Sequence, residues 1–230
     1  PRAPLSTAKR YVMGAGTNSY GYFAGGSQPN YISTIDRLDY ASDTTAMVPA
    51  GPLWETQWAT GGGTGNASYA YFGGGYDSAD PISHTARLDY ANDTATALSK
   101  GKLSSARMNL DAVSSRGNGQ SSPTTKTVDK GADGYQSDIS NFGYFGGGVA
   151  SPGAVSTVDR VDFANDTPTT SPKGSLSAAT SYCTASTGNS SFGYFGGGFV
   201  PGSPTPANSI VDRIDYSNDT AAALAKGPLS

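Results

Sequence analysis

Apolar and polar residues alternate in short runs along this chain. In Asp36-Arg37-Leu38-Asp39-Tyr40, Leu38 and Tyr40 fall on one side, and Arg37 and Asp39 on the other. The same alternation returns in Ala86–Tyr90, Asp159–Phe163 and Asp212–Tyr216. Tyr20 and Tyr22 alternate with Phe23, and Phe142 and Tyr144 with Phe145. A period of two bounded by turn residues predicts strands. The triplets Asn92-Asp93-Thr94, Asn165-Asp166-Thr167 and Asn218-Asp219-Thr220 supply turn chemistry after the first kind of run. A short polar strand rich in Thr and Ala is expected next, and a small-residue strand such as Ala178–Thr187 before the aromatic one. Each unit then has four strands.

The runs belong to a tandem repeat. An aromatic-glycine box occurs as Tyr22-Phe23-Ala24-Gly25-Gly26, Tyr71–Gly75, Tyr144–Gly148 and Tyr194–Gly198. The Asp-Tyr box follows each copy. A third box, Gly51-Pro52-Leu53, returns at Gly101–Ser104, Gly174–Ser177 and Gly227–Ser230. Its leucines, counted from Leu5, lie at 5, 53, 103, 176 and 229. The units therefore run approximately over 5–52, 53–102, 103–175 and 176–230 within one domain covering 1–230, with an insertion near 116–138 in the third. Four short strands in about fifty residues describe a propeller blade, whose sheet must be covered by its neighbours. The paired glycines suit positive φ and close backbone approach where a crowded strand enters a loop.

The order of features resembles kelch repeats: a small-residue strand, an aromatic strand ending in Gly-Gly, a strand ending in Asp-Tyr, then a turn. Leu103-Ser104-Ser105-Ala106-Arg107 resembles the end of a kelch unit. The resemblance implies an all-β fold, a β-propeller of kelch-like four-stranded blades. Four blades lie in this chain, either as a closed ring or as part of a larger one. The tryptophan of kelch blades is absent after the turn, where Ala97 or Thr169 stands, so blade packing is expected to differ there. The phrase Gly-Tyr-Phe-Gly-Gly-Gly with Asp-Tyr-Ala-Asn-Asp-Thr also resembles repeat proteins of marine and cyanobacterial phages. That resemblance implies a virion or tail-fibre protein, located in the virion or outside the cell, partnered by other virion or fibre subunits or by its own copies. A cell-surface glycan or protein is the further expected partner. The alternative is a cytoplasmic kelch-type adaptor that binds a protein.

Composition narrows the function. The 230 residues carry 15 basic and 18 acidic side chains, a net charge of -3. No basic stripe exists for phosphates, so nucleic acid is not an expected partner. No apolar run reaches membrane-spanning length. One cysteine, Cys183, excludes an intrachain disulfide. One histidine, His84, excludes a His-rich metal site and is expected to be a solvated loop residue. The Gly-Gly-Gly runs lack the Lys-Ser/Thr of a phosphate loop. No catalytic residue, cofactor or metal is expected; a glycan-cleaving activity would need a loop acid such as Asp77 or Asp80.

Two sets of residues remain. The Arg-x-Asp pairs Arg37/Asp39, Arg87/Asp89, Arg160/Asp162 and Arg213/Asp215 recur in every unit, as packing demands, and are read as structural ion pairs between strands or blades. The loops after the glycine box differ between copies, and variable loops on a rigid scaffold carry binding. Exposed Tyr31, Tyr76 and Phe199, with Asp77 and His84, are the binding candidates there. Five Asn-x-Ser/Thr sequons, at Asn66, Asn92, Asn165, Asn189 and Asn218, are read as turn residues.

Overall fold

The computed structural model describes residues 3–56, 60–77, 79–114, 141–182, 185–201 and 207–229. The insertion at 116–138 lies outside the described residues. Strands β1 (Met13–Gly16), β2 (Tyr20–Ala24), β5 (Ile35–Asp39) and β6 (Val48–Ala50) form sheet one, with a two-residue hairpin of β3 (Ser27–Gln28) and β4 (Asn30–Tyr31) in its loop. Sheet two holds β7 (Gly62–Gly65), β8 (Tyr69–Gly73), β9 (Thr85–Asp89) and β10 (Leu98–Lys100). Sheet three holds β11 (Asp111–Ser114), β12 (Phe142–Gly146), β15 (Val158–Asp162) and β16 (Ser171–Pro172), with the hairpin β13 (Val149–Ala150) and β14 (Gly153–Ala154). Sheet four holds β17 (Ala185–Gly188), β18 (Phe192–Gly196), β19 (Val211–Asp215) and β20 (Leu224–Ala225). All pairings are antiparallel. The fold is all-β.

Local chemistry closes each unit. In the first hairpins the side-chain oxygens of Asn66 and Asn189 each accept two backbone N–H bonds, at 2.8 and 2.9 Å. Those two sequon asparagines are therefore turn residues. At the end of each third strand, Asp39, Asp89, Asp162 and Asp215 accept from the backbone N–H two residues on, at 2.8–3.0 Å. Three of them cap single 3-10 turns at Tyr40–Ser42, Tyr90–Asn92 and Tyr216–Asn218. These carboxylates are thus backbone caps and not the partners of the arginines two residues before them. The outer strand also starts later than expected: the Thr-Ala stretch is still turn, and β10 begins at Leu98.

First strands lie side by side in succession, β1 against β7, β7 against β11 and β11 against β17. Among the described residues β17 makes no comparable contact with β1. Between sheets one and two lie Met13, Tyr22, Ala24 and Ile35 against Ala70, Phe72, Leu88 and Ala97. Tyr71 meets Phe145, Val161 and Phe163 at the next junction, and Tyr144 and Val158 meet Phe195, Ile214 and Tyr216 at the third. Alternation thus serves two neighbours, because each sheet gives one pleat face to the sheet before it and the other to the sheet after. Buried Ala97 and Thr170 stand at matched places after the turn, so the residue in the third unit is Thr170, not exposed Thr169. A small residue suffices there because the space is filled by the leucine of the third box, Leu53 or Leu103.

Each arginine reaches forward across the junction. Arg37 and the Tyr22 hydroxyl both donate to Asp93 Oδ2, at 2.8 Å each. Tyr71 and Arg87 do the same to Asp166, both at 2.7 Å, and Tyr144 and Arg160 to Asp219, at 3.0 and 2.8 Å. The acceptor is the middle residue of the Asn-Asp-Thr turn on the following sheet. Lys100 and Lys173 approach the second oxygen of Asp166 and Asp219, at 3.1 and 3.6 Å. The donating ring stacks on the next sheet's aromatic: Tyr22 on Tyr90, Tyr71 on Phe163 and Tyr144 on Tyr216, with centroids 4.8–5.1 Å apart. Such stacking adds about 0.5–1.5 kcal/mol beyond area burial. Burial, together with the acceptor carboxylate, raises the ionisation of Tyr22, Tyr71 and Tyr144 well above the ordinary phenol range, so these hydroxyls stay donors.

A second carboxylate is buried in the aromatic-facing register of β5 and β15. Lys9 pairs with Asp36 at 3.0 Å and Arg107 with Asp159 at 3.0 Å, all four side chains fully buried. In sheet two the matching residue is Ala86, and in sheet four Asp212 takes a backbone N–H from Ser177 at 3.1 Å.

The third box is the strap that crosses from one sheet to the next. Gly51, Gly101 and Gly174 donate to the carbonyls of Asp93, Asp166 and Asp219 at 2.6–2.8 Å. A Cβ on any of them would stand 1.7–1.8 Å from a carbonyl oxygen of the following sheet's turn. At Gly227 nothing lies within 4 Å. Gly101→Ala is therefore expected to destabilise by about 3 kcal/mol or more, since only backbone movement relieves the clash. Gly227→Ala should stay within about 0.5 kcal/mol of the parent; paired urea melts of the two variants check both values.

Burial raises the Asp166 carboxyl, but the hydrogen bonds of Tyr71 and Lys100 and the charges of Arg87 and Lys100 outweigh it and leave it below the usual carboxylate range. Because the folded form ionises below the unfolded value near 3.9, its stabilisation is complete above that value. It is lost as pH falls through the lower folded one. Asp166→Asn should cost about 2 kcal/mol at neutral pH and progressively less below about pH 4. Thermal melts at pH 7 and pH 3 check this.

Candidate functional site

The glycine boxes build the site. Both members of every pair have positive φ, 66–71° for the first and 102–115° for the second. L side chains are strained there, and in Gly26, Gly148 and Gly198 a Cβ would also stand 2.6–2.8 Å from a neighbouring atom. The first glycine donates across the loop to the residue before the third strand, as Gly74 does to His84 at 3.0 Å. The second donates to the segment entering the next first strand, as Gly75 does to Arg107 at 2.9 Å and Gly148 to Thr180 at 2.8 Å. The residue after the pair then bridges back to its own entry segment: Ser27 to Arg10, Val149 to Met108 and Phe199 to Ser181. Three loops are pinned in this way to the points where their own first strands begin, while Tyr76 bridges to Pro81 within its loop.

At those points sit Tyr11, Asn109 and Tyr182, with φ of 63°, 56° and 52°. A left-handed conformation at a non-glycine residue stores roughly 1–3 kcal/mol and persists only where the surroundings enforce it. With Thr60, Tyr76 and Met108 these three residues line a groove of about 280 Å3. Each sheet contributes one residue from the approach to its first strand, namely Tyr11, Thr60, Asn109 and Tyr182. Tyr11 and Tyr182 are 48% and 59% exposed. The Arg10 guanidinium lies 5.2 Å from the Tyr11 ring centroid. Tyr76 is held by its hydroxyl, which donates to the Ala79 carbonyl at 2.9 Å.

Of the residues singled out in the sequence, only Tyr76 lines this groove, and it is half-buried. Tyr31 sits half-buried in β4. Asp77 turns back on its own loop, accepting from the N–H groups of Ala79 and Asp80 at 3.1 and 3.2 Å, bonds that hold its carboxyl below the usual range. Phe199 is 40% exposed and bridges Ser181 and Ala207. His84 is not a solvated loop residue: its side chain is 29% exposed, its Nδ1 lies 2.5 Å from Glu55, and its ring packs 5.1 Å from that of Trp54. Arg37, Arg87 and Arg160 serve the sheet junctions. Arg213 lies over the Phe192 ring at 4.3 Å and forms no salt bridge among the described residues. Reasoning from the repeat missed Tyr11, Thr60, Met108, Asn109 and Tyr182. The available signal was residue type varying at a place fixed by the flanking boxes.

Three phenols, a thioether, an amide and a hydroxyl make an amphipathic groove. Such a lining recognises a flat ligand that offers both an apolar face and hydroxyl or amide groups. Among the described residues no cluster of three His, Cys, Asp or Glu is arranged to hold a metal ion, and no helix is long and apolar enough to cross a membrane.

No protein-family model matches the chain, and no curated protein is similar to it. Among solved structures its fold is similar to one described as the structure of YjhT. The match covers 100% of this chain and 68% of that one, with a TM-score of 0.68 and 12% identity. At that identity the likeness concerns the fold alone: an all-β, propeller-like arrangement of antiparallel four-stranded sheets.

If Tyr182 is kept in a left-handed conformation for its ring, removing the ring releases strain. Tyr182→Gly is expected to leave stability unchanged or raise it by up to about 1 kcal/mol. A calorimetric midpoint well below the parent would show that the ring serves packing.

Proposed function

We propose that this chain is a non-catalytic kelch-like β-propeller module of a phage virion or extracellular appendage. In this reading the four sheets are blades, and the groove at the starts of their first strands is the attachment point for a surface glycan. The observation that carries it is the groove itself, where one residue from each sheet converges and three of the four hold a strained conformation. Strain maintained at matched places in three blades is a cost that packing does not require. Among the described residues the lining carries phenols, a thioether, an amide and a hydroxyl, a set suited to binding. Tyrosine supplies rigid amphipathic contact area at low entropic cost and suits the apolar face of a sugar ring. The virion setting is supported by the phage-like wording of the repeat. The open run of first strands supports four blades of a larger ring over a closed ring of four.

The test joins location to ligand. The protein should co-purify with particles or fibres and bind a host-surface polysaccharide on a glycan array. Tyr11→Ala and Tyr182→Ala should each weaken binding about tenfold, with melting temperature preserved. A protein confined to the cytosol, holding one stoichiometric cellular partner through the groove loops, would replace this reading with the adaptor.

A further inference from the structure

The second unit departs from the repeat at three neighbouring places. Its strap is tied like the others: Leu53, Leu103 and Leu176 donate to the Ser33, Ser83 and Ser156 carbonyls at 2.7–2.8 Å. After the strap leucine the later units carry Ser104 and Ser177. Their backbone N–H groups each donate to a buried carboxylate of the following sheet, Asp159 and Asp212, at 3.1 Å. In sheet two the matching position is Ala86, and the residue after Leu53 is Trp54. Glu55 comes next, where Ser105 and Ala178 stand in the later units. The carbonyl that accepts from the first glycine of each box belongs to Thr34, Thr157 and Ile210 in the other sheets, and to His84 in sheet two. Places that hold Ser, Thr, Ala or Ile elsewhere thus hold an indole, a carboxylate and an imidazole here.

These three side chains meet. His84 Nδ1 lies 2.5 Å from Glu55 Oε1, and the Trp54 and His84 rings stand 5.1 Å apart at 53°. The cluster is no substitute for the ion pairs of the neighbouring sheets. Lys9–Asp36 and Arg107–Asp159 are fully buried, whereas the His84 and Glu55 side chains are 29% and 25% exposed. Trp54 is 37% exposed. An ion pair that reaches water adds little to stability, and the other units fill the place of Trp54 with serine. Packing therefore accounts for neither the indole nor the pair.

We infer that Trp54, Glu55 and His84 form a second binding site, which takes a neutral pyranose unit. The exposed part of the indole offers an apolar surface to the C–H face of a sugar ring. Beside it, Glu55 accepts from sugar hydroxyls through the oxygen not engaged with His84. The imidazole tautomer that donates Nδ1–H to Glu55 presents Nε2 as a further acceptor. A carboxylate in the site rejects sugars that carry carboxylate or sulfate groups. Its pairing with His84 leaves it poorly placed to hold a cation. The segment after Leu53 runs on to Thr60, and the loop that ends at His84 begins with Tyr76, so the same two segments also supply the groove. The site rests on the proposed function only for sugar as the ligand class, and its residues are distinct from those lining the groove.

Titration of the purified chain with the methyl glycosides of glucose, galactose and mannose, read by tryptophan emission and calorimetry, tests this. At least one glycoside should shift the emission saturably. Trp54→Ser and His84→Thr restore residues that the other units carry, so both variants should keep the parent melting temperature. Trp54→Ser should abolish the emission change, and each variant should weaken binding about tenfold or more. No response to any of the three glycosides up to about 50 mM, well above a millimolar Kd, overturns the inference. So does parent-like binding by either variant, or a melting temperature several degrees below the parent, which would make the cluster part of the packing. Binding lost in Tyr182→Ala but kept in Trp54→Ser would put the sugar in the groove, leaving the proposed function standing and removing only this site.

Discussion

A buried carboxylate has to be satisfied from somewhere, and here it is satisfied from the next sheet. Asp93, Asp166 and Asp219 sit at turns whose own backbone cannot complete their hydrogen bonding. Each draws a phenol and a guanidinium from the sheet before it. Charge-assisted bonds of this kind are strong when desolvated, and an unpaired partner is costly. The stacked aromatic pair beside each carboxylate excludes water and fixes the distance between sheets. Arg87 and Arg160 are held in turn over Tyr69 and Phe142, at 4.3 and 4.1 Å, so the guanidinium arrives preoriented. Stability in such an array is a sum of nearest-neighbour junctions. Its terminal sheets therefore differ from the inner ones by whatever a neighbour would have supplied.

Glycine does the complementary work of letting chains approach. The strap glycines admit a carbonyl where no Cβ fits, and the paired glycines bend each aromatic strand into a junction with the entry segments of its own and the following sheet. A scaffold so constrained leaves few places free to vary. The approach to the first strand is one of them, because its backbone is held from both sides while its side chain faces outward. Tyr11, Thr60, Asn109 and Tyr182 differ in type for that reason, and the groove they line gathers the variation in one place.

The groove and the end sheets are separated in space. The groove opens at the starts of the first strands, and sheets one and four lie at either end of the row of described sheets. Among the described residues three apolar clusters and the buried ion pairs Lys9–Asp36 and Arg107–Asp159 lie between the sheets.

Much of this was legible in the residues alone, and the reason is that packing repeats. Period-two alternation, the paired glycines and the leucine-bearing strap specify four-stranded sheets that need neighbours, because those demands are local or recur at fixed spacing. The arginines were legible as junction residues but not their partners. Asp39 and Asp93 look alike in sequence, and only the docking of two sheets separates a backbone cap from an acceptor. His84 read as solvated because nothing nearby in sequence announces Glu55 and Trp54, which arrive across a loop. The groove was hidden for the same physical reason: its six residues are scattered from position 11 to position 182, and the four at matched places of the repeat differ in type, as Tyr11, Thr60 and Asn109 do. What repetition imposes can be read along the chain; what convergence imposes exists only once the sheets have met.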